Sequence, residues 1–186
     1  MSEIFYTSDL HFNHPFVAGT RGHATAGEHD ELLIERFNWV LSKRDHLWIL
    51  GDVFHGSITA GLPKVARLKG TKHLVLGNHD AAHPMHKKSH AQLRRFYDVF
   101  ESVHLHEQHH VEGHHVLLSH YPYRGDHKPE DRDTQWRLRD EGKWLLHGHV
   151  HKAWGIDGRQ INVGVDVNYG PVPRDMVADH LREHTN

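Results

Sequence analysis

The sequence predicts an α/β fold with a parallel sheet in its first half and a β-rich second half. Three observations predict it. Short apolar runs at 3–8, 46–50 and 72–76 alternate with helix-patterned stretches at 28–43 and 60–69, the order that produces parallel strands. From residue 99 onward the pattern becomes β-like segments and hairpin signals. The length of 186 residues fits a single domain over 1–186 and suffices to bury a core.

Taken in order, EIFYTS at 3–8 reads as a strand that runs into Asp9. Residues 28–43 place Leu33, Phe37, Val40 and Leu41 on one helical face, with acidic residues at the start and Lys43 near the end. HLWIL at 46–50 is a strand that stops at Gly51-Asp52, and 60–69 supplies a second helix. KHLVL at 72–76 is a strand that stops at Gly77-Asn78, and 89–98 supplies a third helix. Segments 101–111 and 114–119 pair across Glu112-Gly113; 152–156 and 160–165 pair across Asp157-Gly158; KWLLH at 143–147 lies between these pairs. A short helix closes the chain near 173–184, and the polar stretch 122–135 reads as a mobile surface loop.

Composition excludes several classes. With no cysteine, disulfides, thiolate catalysis and Cys-ligated zinc are ruled out. No run approaches the roughly 18 apolar residues of a membrane span, so no membrane partner is expected. The start, MSEIFYTSD, carries no signal peptide pattern, which makes the cytoplasm the expected location. Lys+Arg 22 against Asp+Glu 24 gives a formal charge of -2 without a sustained basic stripe, so an extended nucleic-acid groove is not favoured. Histidine is the unusual number, 24 residues in all, several times ordinary usage.

The chemistry gathers where β-like segments end. Asp9-Leu-His11, Gly51-Asp52, Gly77-Asn78-His79-Asp80, His120 and Gly148-His149-Val-His151 each follow such a segment. Ligand sites in α/β sheets form outside the carboxyl ends of strands. Asp-x-His is weak evidence alone, expected roughly twice by chance in so His-rich a chain, whereas Gly-Asn-His-Asp is expected on the order of once in two hundred such chains.

This set resembles the calcineurin-like metallophosphoesterase family, and SDLHFNH, SHYP and NVGVDVN look like its small single-domain bacterial and phage branch. The resemblance spans roughly residues 4–172. It implies a four-layer α/β/β/α sandwich of two mixed β-sheets flanked by helices. It implies that Asp9, His11 and His151 bind one metal, that Asn78, His120 and His149 bind a second, and that Asp52 bridges both. It also implies that His79 reaches the leaving-group oxygen and that Asp80 holds His79. The cofactor would be two divalent transition-metal ions, manganese first, with iron, zinc, nickel or cobalt as alternatives.

The physical reasons are independent of the likeness. A carboxylate can span two cations, while imidazole and amide oxygen add ligands without adding charge. The centre then stays net positive, which favours phosphate anions and lowers the pKa of a bridging water. A proton donor such as His79 helps most where the leaving group is least acidic.

The function expected from this resemblance is phosphoester hydrolysis by metal-bound hydroxide. A small phosphodiester, such as a cyclic or linear nucleotide, is the first choice of substrate. A phosphomonoesterase, a nuclease and a non-catalytic scaffold are the alternatives. Arg21 and Arg124 follow the first and fourth motifs and are candidates to grip a phosphate oxygen. Lys128 and Arg132 could form a substrate-facing rim. His14 and His55 are candidates for ligand support or substrate contact, and His147 for a neighbour or water. His83, His86, His90, His104, His106, His109 and His110 read as solvated surface, and Trp39, Trp48 and Trp144 as core. Nothing in the sequence sets the oligomeric state.

Overall fold

The computed structural model describes residues 2–184. Its elements in chain order are β1 (Ile4–Thr7), α1 (Pro15–Thr20), α2 (Ala26–Val40), β2 (His46–Ile49), α3 (Ile58–Ala66), β3 (Thr71–Val75), α4 (Ser89–Phe96) and β4 (Ser102–His104). There follow β5 (His106–Val111), β6 (His114–Ser119), β7 (Trp144–His147), β8 (Ile156–Asp157), β9 (Gln160–Asn162), α5 (Val165–Asn168), β10 (Val172–Pro173) and α6 (Arg174–His184).

They form two mixed five-stranded sheets flanked by helices. The first has the order β10-β1-β2-β3-β4, with β1 to β4 parallel and β10 antiparallel at the edge. The second has the order β5-β6-β7-β9-β8, with a parallel centre and an antiparallel hairpin at each edge.

Period-two alternation of the central strands divides the core. Phe5, Leu47, Ile49 and Leu74 face a cluster with Leu33, Ile34 and Phe37 of α2, Leu62 and Val65 of α3, and Phe96 of α4. Tyr6, Trp48 and Val75 face the other way, joining Val116, Leu118, Trp144 and Leu146 of the second sheet and Val177 and Leu181 of α6. The first sheet is therefore apolar on both faces, as a parallel sheet buried on both sides requires.

Several elements differ from the sequence expectation. The segment 101–111 is not one strand: β4 joins the first sheet beside β3, and β5 joins the second. Helix α2 begins at Ala26, where the Thr25 side chain accepts the Glu28 N–H and the Glu28 carboxylate accepts the Ala24 N–H. It ends at Val40, leaving Trp39 91% and Val40 47% exposed, so neither belongs to the core. His83 is buried rather than solvated, with its ring edge-on to Trp136, and burial pushes its imidazole down to about 4. His109 is half-buried and hydrogen-bonded to the Tyr6 hydroxyl at 2.9 Å. Stretch 122–135 is tied down rather than loose: Arg132 pairs with Asp126, and the nearly buried Arg137 donates to the carbonyls of Gly125 and Arg132.

Candidate metal centre

The loops after β1, β2, β3, β6 and β7 converge at one end of the sandwich. Asp9 and His11 follow β1, Asp52 follows β2, Asn78 and His79 follow β3, His120 follows β6, and His149 and His151 follow β7. All but Asn78, His79 and His151 are buried.

Asp52 sits in the middle. Its Oδ2 lies 3.7 Å from His11 Nε2, and its Oδ1 lies 3.6 Å from His120 Nε2. On the first side, His11 Nε2 is 3.9 Å from Asp9 Oδ1, and the His11 and His151 rings stack 5.2 Å apart. On the second side, Asn78 Oδ1 is 3.1 Å from both His120 Nε2 and His149 Nδ1. The groups Asp9, His11, His151 and Asp9, Asp52, His120 each bring donor atoms within 4.8 Å of one another.

Three of the four histidines have one ring nitrogen committed. His120 Nδ1–H donates to the Leu50 carbonyl at 2.8 Å, which leaves Nε2 toward the site. His149 Nε2–H donates to Asp126 at 3.1 Å, which leaves Nδ1. His151 Nδ1–H donates to Asp166 at 2.8 Å, which leaves Nε2. Such partners fix tautomer and ring orientation in metal-ligating histidines. Asp166 is itself clamped by the Arg21 guanidinium at 2.9 and 2.7 Å.

The donor set fits divalent cations. His11 is 1% exposed, yet neither ring nitrogen has a hydrogen-bond partner, which is rare for a buried polar group. With neutral rings, the lone pairs of His120 Nε2, His149 Nδ1 and Asn78 Oδ1 converge with no hydrogen between them. Burial pushes the Asp52 carboxyl up to about 6; His120 partly opposes this and Asp9 adds to it. A cation between these groups would relieve all three strains.

The backbone is unusual at the same residues. Nine described non-glycine residues have positive φ, and five of them are Asp9, His11, Asp52, His149 and His151. Left-handed backbone is uncommon outside glycine and concentrates at functional sites. The neighbouring glycines have a steric reason. A Cβ at Gly148 would stand 1.9 Å from Ser8 Oγ and 2.4 Å from Asp9 Oδ2; one at Gly77 would stand 2.4 Å from Asp52 Oδ1.

Three expectations change. Asp80 does not hydrogen-bond the His79 ring. Its buried carboxylate accepts the backbone N–H groups of Gly77, Asp52 and Val53 at 2.8, 3.1 and 3.0 Å, cross-linking two ligand loops. Arg21 spends its N–H groups on Asp166, His29 and the carbonyls of Asp9 and Leu10, so it braces the loops and offers nothing to a phosphate. Arg124 is exposed and reaches Asp157 on the β8–β9 hairpin.

His79 is held by its backbone N–H, which donates to Asp52 Oδ1 at 2.9 Å, and its side chain is 44% exposed at the mouth of the site. Burial, helped by the charge of His120, lowers its pKa. Beside it, His14 caps α1 and lies against His55, with ring centroids 4.3 Å apart and planes tilted by 35°. Sequence reading missed Asp126 and Asp166. For Asp166, the available signal was a carboxylate placed just after β9, another strand end.

A two-sheet α/β sandwich with buried Asp, His and Asn side chains gathered at its strand ends has the make-up of a metal-dependent hydrolase. Residues 3–180 match the calcineurin-like phosphoesterase superfamily domain, and the chain belongs to that family. It is accordingly a metal-dependent phosphoester hydrolase. It is similar to the Gene 66 protein of Mycobacterium phage L5, 42% identical over 98% of this chain and 97% of that one. The Gene 66 protein of Mycobacterium phage D29 is 41% identical over 98% of each chain. A solved structure of a protein of unknown function from Aquifex aeolicus shares the fold, with a TM-score of 0.72 at 24% identity, covering 97% of this chain and 100% of that one. Among the described residues no helix is long and apolar enough to cross a membrane.

Proposed function

We propose that the protein is a phosphodiesterase for small, nucleotide-type diesters, using two divalent cations held on either side of Asp52. The observation that carries this reading is the Asp52 carboxylate, one oxygen 3.7 Å from His11 and the other 3.6 Å from His120. Asp9, His11 and His151 would hold one ion, and Asn78, His120 and His149 the other. Manganese suits the mixed nitrogen and oxygen donors, and iron, zinc, nickel or cobalt could replace it. The ions would supply Lewis acidity, activating a water and neutralising phosphate charge.

The chain supplies the rest. Asp126, Asp166 and the Leu50 carbonyl keep three ligand rings in one tautomer. Asp80 and Arg21 lock the loops that carry Asp52 and Asp9. His79, exposed at the mouth, donates a proton or hydrogen bond to the departing oxygen. Hydrolysis of a diester releases one arm as an alcohol and leaves the other on phosphorus, and the open side at His79 gives the departing arm room.

Comparing hydrolysis of bis-p-nitrophenyl phosphate and p-nitrophenyl phosphate by the manganese-loaded protein tests this. The expected result is a higher kcat/KM for the diester. A clear monoester preference would overturn it.

A further inference from the structure

An open cleft of about 430 Å³ starts at His79 and continues over Gly56, His86, Lys88, Gln92 and Arg95. That volume lies within the roughly 300–1,000 Å³ of small-molecule sites. None of its lining residues is acidic, although the chain as a whole carries a formal charge of -2.

Its cations are placed for use. Arg95 Nη2 donates to Thr59 Oγ1 at 2.9 Å, which steadies the guanidinium. Its other N–H groups, and the Lys88 ammonium, take no hydrogen bond or ion pair among the described residues. His86 Nε2–H donates to the Asn78 carbonyl at 2.9 Å, tying this wall to the loop that carries Asn78 and His79. A planar guanidinium with unused donors beside an ammonium suits the oxygens of a phosphate.

We infer that this cleft is a second-phosphate subsite: the preferred diester carries a further phosphate on its leaving-group side, gripped by Lys88 and Arg95. The inference rests on the phosphodiesterase reading, in which His79 faces the leaving group of a diester. Whatever is attached to the departing oxygen would then extend into the cleft, and its cationic wall selects an anionic arm. The same chemistry fits a terminal phosphate on a short nucleotide or the next phosphate along a nucleic-acid strand.

The test compares the dinucleotides ApA, pApA and ApAp, which differ only in a terminal phosphate, with the manganese-loaded protein. One phosphorylated form should exceed ApA in kcat/KM by about tenfold, the scale of one charged hydrogen-bonding contact. In the double variant Lys88→Gln/Arg95→Gln, checked for an unchanged melting temperature, that advantage should fall toward one, chiefly through KM. A twelve-residue oligonucleotide separates the sources. Hydrolysis faster than either phosphorylated dinucleotide assigns the phosphate to a strand, and slower hydrolysis to a terminus. Equal rates on all three dinucleotides, or an advantage that survives in the variant, would overturn the subsite. Failure of the wild type on bis-p-nitrophenyl phosphate would instead overturn the reading beneath it.

Discussion

Asp166 accepts the Nδ1–H of His151 through Oδ2 at 2.8 Å, and so dictates which imidazole nitrogen faces the centre. Burial alone would raise the Asp166 carboxyl, but hydrogen bonds from His151 and Arg21 hold it well below the usual range. It therefore acts as a fixed acceptor. Asp166→Ala should lower affinity for one of two metal ions by about 10–100-fold, the scale of such supporting contacts. Isothermal titration with manganese would read this as one weakened site and one retained. Equal weakening of both, or of neither, would show that Asp166 does not act through His151.

Asp126 should do the same for the other ion. It accepts from His149 Nε2 and lies in the stretch read from sequence as loose. Asp126→Ala should weaken the complementary site by a similar factor of about 10–100. The double variant with Asp166→Ala should then bind both ions poorly. If the two single variants weaken the same site, the assignment of His149 and His151 to different ions is wrong.

Much of the centre was legible because each ligand sits beside its own strand end. The Gly-Asp, Gly-Asn and Gly-His pairs are local, although the reason for the glycines is not: a Cβ at Gly77 would strike Asp52 from the neighbouring strand end. Asp126 and Asp166 were not legible, since each meets its histidine 23 or 15 residues away in sequence, and an Asp in a polar stretch looks like any turn residue. The division of 101–111 between two sheets was hidden because no Gly or Pro marks the bend at Leu105. Trp39 was misplaced by hydrophobicity: the buried face of α2 is set by Leu33, Ile34 and Phe37, and Trp39 lies off it.

His79→Ala should keep both ions and lose turnover. The loss should be greater for alkyl leaving groups than for p-nitrophenolate, which needs little help from a proton donor. Because the His79 backbone N–H holds Asp52, the substitution leaves that contact in place. Equal losses on both leaving groups would argue against proton donation.

Gly148→Ala should disturb the centre without replacing a ligand. Its Cβ would collide with Ser8 and Asp9, and overpacking of this kind costs about 1–3 kcal/mol. A lowered melting temperature together with weaker manganese binding is expected. Unchanged binding at full stability would contradict the close approach.

Asp30 gives the fold an acid limit away from the centre. Burial alone would raise this carboxyl, but hydrogen bonds from His29, Lys64 and the Asn13 N–H bring it below its ordinary value. Its folded value being lower, it stabilises the fold above the unfolded value of about 3.9 and loses that contribution as pH falls through the folded value. Asp30→Asn should lower the melting temperature at neutral pH and flatten its fall between about pH 4 and pH 2. An unchanged slope would assign the acid sensitivity elsewhere.

The central claim is that Asp52 stands between two cations. Anomalous diffraction at the manganese edge, from crystals grown with manganese, tests it most directly. The account predicts two peaks, one against Asp9, His11 and His151, the other against Asn78, His120 and His149, both within bonding distance of the Asp52 carboxylate. A single peak, or two peaks that Asp52 does not join, would contradict it.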